Sequence, residues 1–318
     1  MQKQAARKYI SPLNILFFGI GLLLLIFLLS QVDFQNLARF IANIQPIYLL
    51  LGGLIYLIKS AIRALRFWRI NAEAHPSFLK MLRLTLASSL ASQLMPLKLG
   101  ELTYIYLVKK DIGSPISQGI SSLIIIRIFD LLAISILFIL AALGFGMPTG
   151  LSVYFSYVLG FITFLVIILA SLVGAGKFFS PIVNTLVQKT FLGKIPLIGK
   201  AQDGLERILA GLGKFNRKET VELVIYPLLE WSVNFAMYHV LLEGMGLSPR
   251  PLDTIIGVTF AALASVLPVN SFGNFGTQEA GWATGLILSG FTQQTALASG
   301  FATHLLSLGY MLVMGGAA

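Results

Sequence analysis

Apolar runs of bilayer-crossing length recur along this chain and restrict its fold more than any other feature. A helix needs roughly 17 to 25 apolar residues to cross the hydrocarbon core. Six stretches meet the need: Leu13 to Gln31, Ile47 to Ala64, Ser117 to Gly144, Leu151 to Ala175, Val221 to Met245 and Ala296 to Val313. Inside hydrocarbon every backbone polar group must find its partner within the protein, which leaves helices or a closed β-barrel. A barrel would read as short alternating segments, and these are absent. Composition agrees, with 56% of the 318 residues hydrophobic and 11% charged and a mean hydropathy of +0.84, outside the range of soluble domains. The expected fold is an all-α polytopic membrane helix bundle, one integral membrane domain over 1–318.

Two further apolar stretches are interrupted. Ala264 to Gly290 carries Pro268, Asn270, Ser271, Gly273, Gly276 and Glu279 where a simple span would run on. Proline donates no backbone hydrogen bond and glycine tolerates conformations other residues resist, so the helix arriving from Asp253 should break near Pro268. A shorter version, ASQLMPLKLGE, holds Pro96, Lys98, Gly100 and Glu101. Freed backbone and carboxylates are tolerated at membrane depth only inside protein or beside a watery cavity. Both breaks are therefore candidate substrate-binding elements, expected as re-entrant or broken-helix hairpins at 83–110 and 253–290.

Lys3, Arg7 and Lys8 put the N-terminus in the cytoplasm by the positive-inside rule. The apolar core that follows is too long for a signal peptide and lacks a cleavage site. Asp33 to Pro46 can lie along the outer interface. Arg63, Arg66 and Arg69 mark a cytoplasmic exit and read as lipid-interface anchors, with a lesser role in gathering acidic lipids. Residues 176–218 form a basic cytoplasmic loop, and the C-terminus is also cytoplasmic. Each half, 1–146 and 151–318, then reads span, span, hairpin, span. Three crossings is an odd number, so the second half is inverted, the plan of transporters whose site lies where the broken helices meet.

Arg127 and Asp130 sit at i and i+3 in IIIRIFDLLAI, a spacing that favours a pair on one helix face, serving either register or anion binding. Lys98 is placed to meet a lipid phosphate, and Glu101 an amine or Lys98 itself. Asn270, Ser271 and the run from Gly273 to Glu279 offer backbone N–H groups to an anionic headgroup. The structural alternative there is an N-cap from Thr277 or Asn274, with Glu279 favoured by the helix dipole. Glu230 and His304, each alone on an apolar helix, read as buried and hydrogen-bonded. Three scattered histidines and no cysteine give neither a metal site nor a triad, and no catalytic motif or cofactor is expected. The net charge of +10 is clustered between apolar runs, which suits orientation and anionic lipid rather than nucleic acid.

RALRFW, MPLKLGEL, RIFDLL and the LP...GNFGTQE pattern occur in that order over most of the chain. Together they resemble the transmembrane region of the lysylphosphatidylglycerol synthase and flippase-like family of bacterial and archaeal membrane proteins. In multidomain members this region is thought to flip an aminoacylated lipid made by a separate soluble domain. Here the last apolar run is followed by Ala318, so synthase activity is not expected to carry over. Other relatives are linked to hopanoid handling or glycosylation. The resemblance implies a multi-pass lipid translocase of a prokaryotic plasma membrane, not driven by ATP itself. Its partners would be membrane lipids, whether an anionic or aminoacylated phospholipid or another polar lipid, with a homo-oligomer left open. The rivals are a membrane-embedded transferase acting on a lipid-linked donor and a carrier of a small solute.

Overall fold

The computed structural model describes residues 12–95, 99–146, 217–267 and 272–318, together with 160, 163, 164 and 167. Its helices are α1 (Pro12–Gln31), α2 (Phe34–Ala42), α3 (Pro46–Ile70), α4 (Phe78–Leu94), α5 (Leu99–Leu107), α6 (Ile116–Phe145), α7 (Arg217–Gly244), α8 (Pro251–Val266), α9 (Thr277–Leu288) and α10 (Gln293–Gly316). No strand occurs among the described residues.

Three helices, α3, α6 and α10, are long and apolar enough to cross a membrane, and α1 with α2 supplies a fourth as a bent pair. The bend is 83°. Asp33 makes it: its carboxylate accepts from the backbone N–H of Gln35 and Asn36, starting α2 in a new direction. Residues 33–46 thus turn away from the first span, as an interfacial segment would. The 28-residue α7 is long enough to cross, but Glu222, Glu230 and Asn234 dilute its apolar character. The expected crossing from Leu151 to Ala175 and the basic loop as far as residue 216 lie outside the described residues, four positions aside.

Burial is inverted relative to a water-soluble domain. Large apolar side chains face outward, with Leu143 71% and Val313 74% exposed, while Arg66, Asp130, Glu230 and Glu279 are buried. Contiguous apolar surface of this extent needs a lipid solvent. Among the described residues the apolar interior forms four clusters, two of them at the hairpins. One gathers Val258, Trp282, Leu286 and Phe301 around α8 and α9. The other gathers Phe67, Met81, Tyr104 and Phe129 around α4 and α5.

Both interrupted stretches are helix, break, helix. α4 ends at Leu94 and Met95 is extended, one residue before Pro96, whose ring disfavours a helical predecessor. Pro96 and Lys98 lie outside the described residues. α5 then returns along α4 so closely that a Cβ on Gly100 would stand 2.1 Å from Ser92 Cα. In the second hairpin α8 ends at Val266, Leu267 leaves helical geometry, and α9 packs back on α8. A Cβ on Gly281 would stand 2.4 Å from the Phe260 carbonyl oxygen. Pro268, Asn270 and Ser271 are outside the described residues.

Replacing either glycine forces the arms apart. Gly100→Ala and Gly281→Ala should each lower stability by about 1–3 kcal/mol, the usual range for overpacking. Gly19→Ala, whose Cβ would meet open space, is the control. Thermal unfolding of the detergent-solubilised protein reads the difference, and a Gly100→Ala variant as stable as Gly19→Ala would mean that the α4 and α5 arms are not in contact.

Candidate functional site: a charged seam between two hairpins

The site begins with a helical stripe. Lys59, Arg63, Arg66 and Arg69 recur at intervals of three and four along α3, so they share one face, and that face meets α7. Arg66 is the centre. Its Nη1 lies 2.7 Å from Asp130 Oδ1 of α6 and 2.5 Å from Glu230 Oε2 of α7. Its Nη2 donates to the Ile126 carbonyl at 3.3 Å. A planar, always-charged fork can serve two carboxylates and a carbonyl at once, which an ammonium cannot do in this geometry. Arg63 Nε donates to Glu230 Oε1 at 2.7 Å, and Trp231 Nε1 donates to Asp130 Oδ1 at 3.3 Å. Two cations and two anions therefore neutralise one another in the interior. Nearer the end of α3, Arg69 pairs with Glu222 at 2.6 Å.

Two expectations are corrected here. Arg127 and Asp130 do not pair with each other. Positions i and i+3 stand about 60° apart around a helix of 3.6 residues per turn, and here the offset separates two environments. Asp130 turns inward to Arg66, whereas Arg127 turns to α5 and pairs with Glu101 at 2.6 Å. Nor is Arg66 an interface anchor, because its side chain is 1% exposed within the ion-pair cluster. Arg63 and Arg69 are part-exposed, and each has a carboxylate partner. Glu230, read as solitary, joins two arginines.

Beside this cluster lies a cavity of about 430 Å³, walled by α3 to α10. Both hairpins contribute: Ser92, Gln93 and Glu101 from the first, Ser265, Asn274 and Gln278 from the second. Lys59, Arg63, Arg127 and Asp130 add charge to the wall. Arg127 is 58% exposed and marks the more open side. Lys59 Nζ donates to Asn234 Oδ1 at 3.2 Å and stands 4.7 Å from the centre of the Tyr56 ring.

The loop before α9 turns through three left-handed residues, Gly273, Asn274 and Gly276, with φ of 64°, 58° and 90°. The expected cap from Thr277 or Asn274 is replaced by Glu279, whose Oε2 accepts from Gly276 N–H at 2.6 Å. One N–H group offered to a headgroup is thus already used. Glu279 does not line the cavity; it is 0% exposed, and its Oε1 meets His304 Nδ1. His304 Nε2 meets the Gln93 amide, which also donates to the Gly273 carbonyl at 2.9 Å. Phe275 stacks on the His304 ring at 4.3 Å. The two hairpins therefore touch through Gln93.

Lys59 and Gln93 were missed as site residues. Lys59 is signalled by its i, i+4 spacing to Arg63, and Gln93 by its place in ASQLMP, three residues before the proline.

Apolar-coated helices around a charged interior cavity define a multi-pass helical membrane protein. The family described as Lysylphosphatidylglycerol synthase TM region matches residues 14–316, and the chain belongs to it. No curated protein and no solved structure gives a match.

Removing Arg66 would leave Asp130 without its ion-pair partner and Glu230 with Arg63 alone. Arg66→Ala should destabilise the protein by about 3–5 kcal/mol, as for other broken buried pairs. Removing one cation and one anion together, as Arg66→Met with Asp130→Asn, keeps Arg63 paired with Glu230 and should recover much of the loss because the two sites are coupled. Size-exclusion profiles and unfolding temperatures check both, and additive losses across the cluster would contradict the coupling.

Proposed function

We propose that the protein is a lipid translocase that passes a polar headgroup through the cavity between its two hairpins while the acyl chains stay in the bilayer. One observation carries the reading: in a chain of this family, a charge-lined cavity of about 430 Å³ lies at the meeting of two interrupted helices. That volume is within the usual range for ligand sites. The substrate is an anionic or aminoacylated phospholipid or another polar lipid. The protein acts on sidedness rather than as a synthase, and movement is passive or driven by an ion or proton gradient. It sits in a prokaryotic plasma membrane with both termini cytoplasmic.

The proposed six-crossing inverted repeat draws support from reciprocal packing. α3, the second span of one half, packs on α7, the second span of the other. α6 packs on α8 of the opposite hairpin, and α10 packs on α4. Charged residues follow the same plan. Glu101, third residue of α5, pairs with Arg127 of the next span, 26 positions on. Glu279, third residue of α9, pairs with His304 of the next span, 25 positions on. Rocking of one half against the other would give the headgroup alternate access.

Vesicles containing the purified protein should flip headgroup-labelled phospholipid faster than protein-free vesicles. Glu101→Gln, which frees Arg127 at the cavity wall, should slow flipping by about tenfold, the loss expected for one charge-assisted contact, while leaving the unfolding temperature little changed. A reductant that quenches only outer-leaflet label follows the movement. Wild-type vesicles no faster than protein-free ones would remove the translocase reading.

A further inference from the structure

The charges around the cavity do not balance, and the surplus has a location. Among the described residues, Lys59, Arg63, Arg66 and Arg127 stand against Glu101, Asp130 and Glu230. Arg66 bridges Asp130 and Glu230, Arg63 holds Glu230, and Arg127 holds Glu101. Lys59 is left with a neutral amide, Asn234, and an aromatic face, Tyr56. An ammonium kept at membrane depth with no carboxylate in hydrogen-bond reach among the described residues is costly, and that cost falls when a ligand supplies the anion. Arg63 stands one turn along the same face and uses its Nε for Glu230; its Nη groups carry no hydrogen bond among the described residues. A guanidinium and an ammonium thus converge on one patch of cavity wall, a donor set suited to phosphate oxygens.

The rest of the wall argues against a cation on the ligand. Glu101 is engaged by Arg127, and Asp130 by Arg66 and Trp231, so a headgroup amine would have to displace an arginine to gain a carboxylate. The remaining polar wall groups include Ser92, Asn274 and Gln278, neutral donors and acceptors suited to hydroxyls. Resting on the translocase reading, we infer that the cavity prefers lipids whose headgroup carries one net negative charge, a phosphodiester with a hydroxyl-bearing remainder, over zwitterionic and aminoacylated headgroups. Lys59 and Arg63 bind the phosphate.

The test measures binding apart from movement. Native mass spectrometry of the full chain in detergent compares retention of phosphatidylglycerol, phosphatidylcholine and lysylphosphatidylglycerol with identical acyl chains. Phosphatidylglycerol should be retained about tenfold more tightly than either, a ratio that one charge-assisted contact supplies. Lys59→Gln should bring the ratio close to one, and Lys59→Arg should restore it; a purely structural lysine would shift the unfolding temperature and leave the ratio alone. Equal retention in the wild type, which needs no variant, would overturn the inference, as would an unchanged ratio in Lys59→Gln. Inorganic phosphate displacing the lipid at comparable concentration would reassign the site to a free anion and also overturn it. Preference without flipping in vesicles would sink the translocase reading alone, whereas flipping without preference would sink only the headgroup class.

Discussion

The architecture depends on one buried guanidinium. Arg66 lies between carboxylates contributed by two other helices, Asp130 and Glu230, which lie 64 and 164 positions further along the chain. Taking four charges out of water is unfavourable unless each is met, so α3, α6 and α7 must arrive together or not at all. Hydrophobic burial cannot enforce that arrangement in a bilayer, because lipid tails are as apolar as leucine. The ion-pair cluster supplies the registry that apolar packing leaves loose. It also keeps a polar face available beside the cavity, where an all-apolar seam would have closed.

The hairpins solve a different problem. A broken helix exposes backbone groups that lipid cannot satisfy. In the second hairpin, Glu279 turns back on the Gly276 N–H and Gln93 of the first hairpin reaches the Gly273 carbonyl. That break is thus satisfied partly by its own helix and partly by the opposite hairpin. Glycines at the arm contacts let α5 lie on α4 and α9 on α8 at near-backbone distance.

Much of this was legible from residues alone, and the reasons are physical. Pro96 and Pro268 interrupt otherwise apolar runs, so the helix ends near Leu94 and Val266 follow from what proline does to the residues before it. The lipid-facing surface follows from composition, and the family from four motifs in order. What sequence could not supply was the partner of each charge. Asp130 has Arg127 three residues away and Arg66 on another helix, and only the packing of α3 against α6 decides between them. The same holds for Glu230, solitary along α7 yet central once α3 lies beside it. Local spacing identifies which residues share a face; it does not identify what that face meets.

The two glutamate pairs bring these strands together. Glu101 with Arg127 and Glu279 with His304 occupy matching positions in the proposed halves, yet their surroundings differ. The first pair borders the cavity with its arginine 58% exposed, while the second is sealed at 0% and 1%. On an inverted repeat such inequality is what a single conformation must have, since two halves in identical conformations would leave the cavity equally open to both sides. In the proposed inverted repeat, exchanging the two conformations would unseal Glu279 and His304 and close Glu101 and Arg127. His304 stands where the other half has an arginine. Its ring stacks on Phe275 and its second nitrogen meets Gln93 of the first hairpin, so the buried pair also ties the two hairpins together.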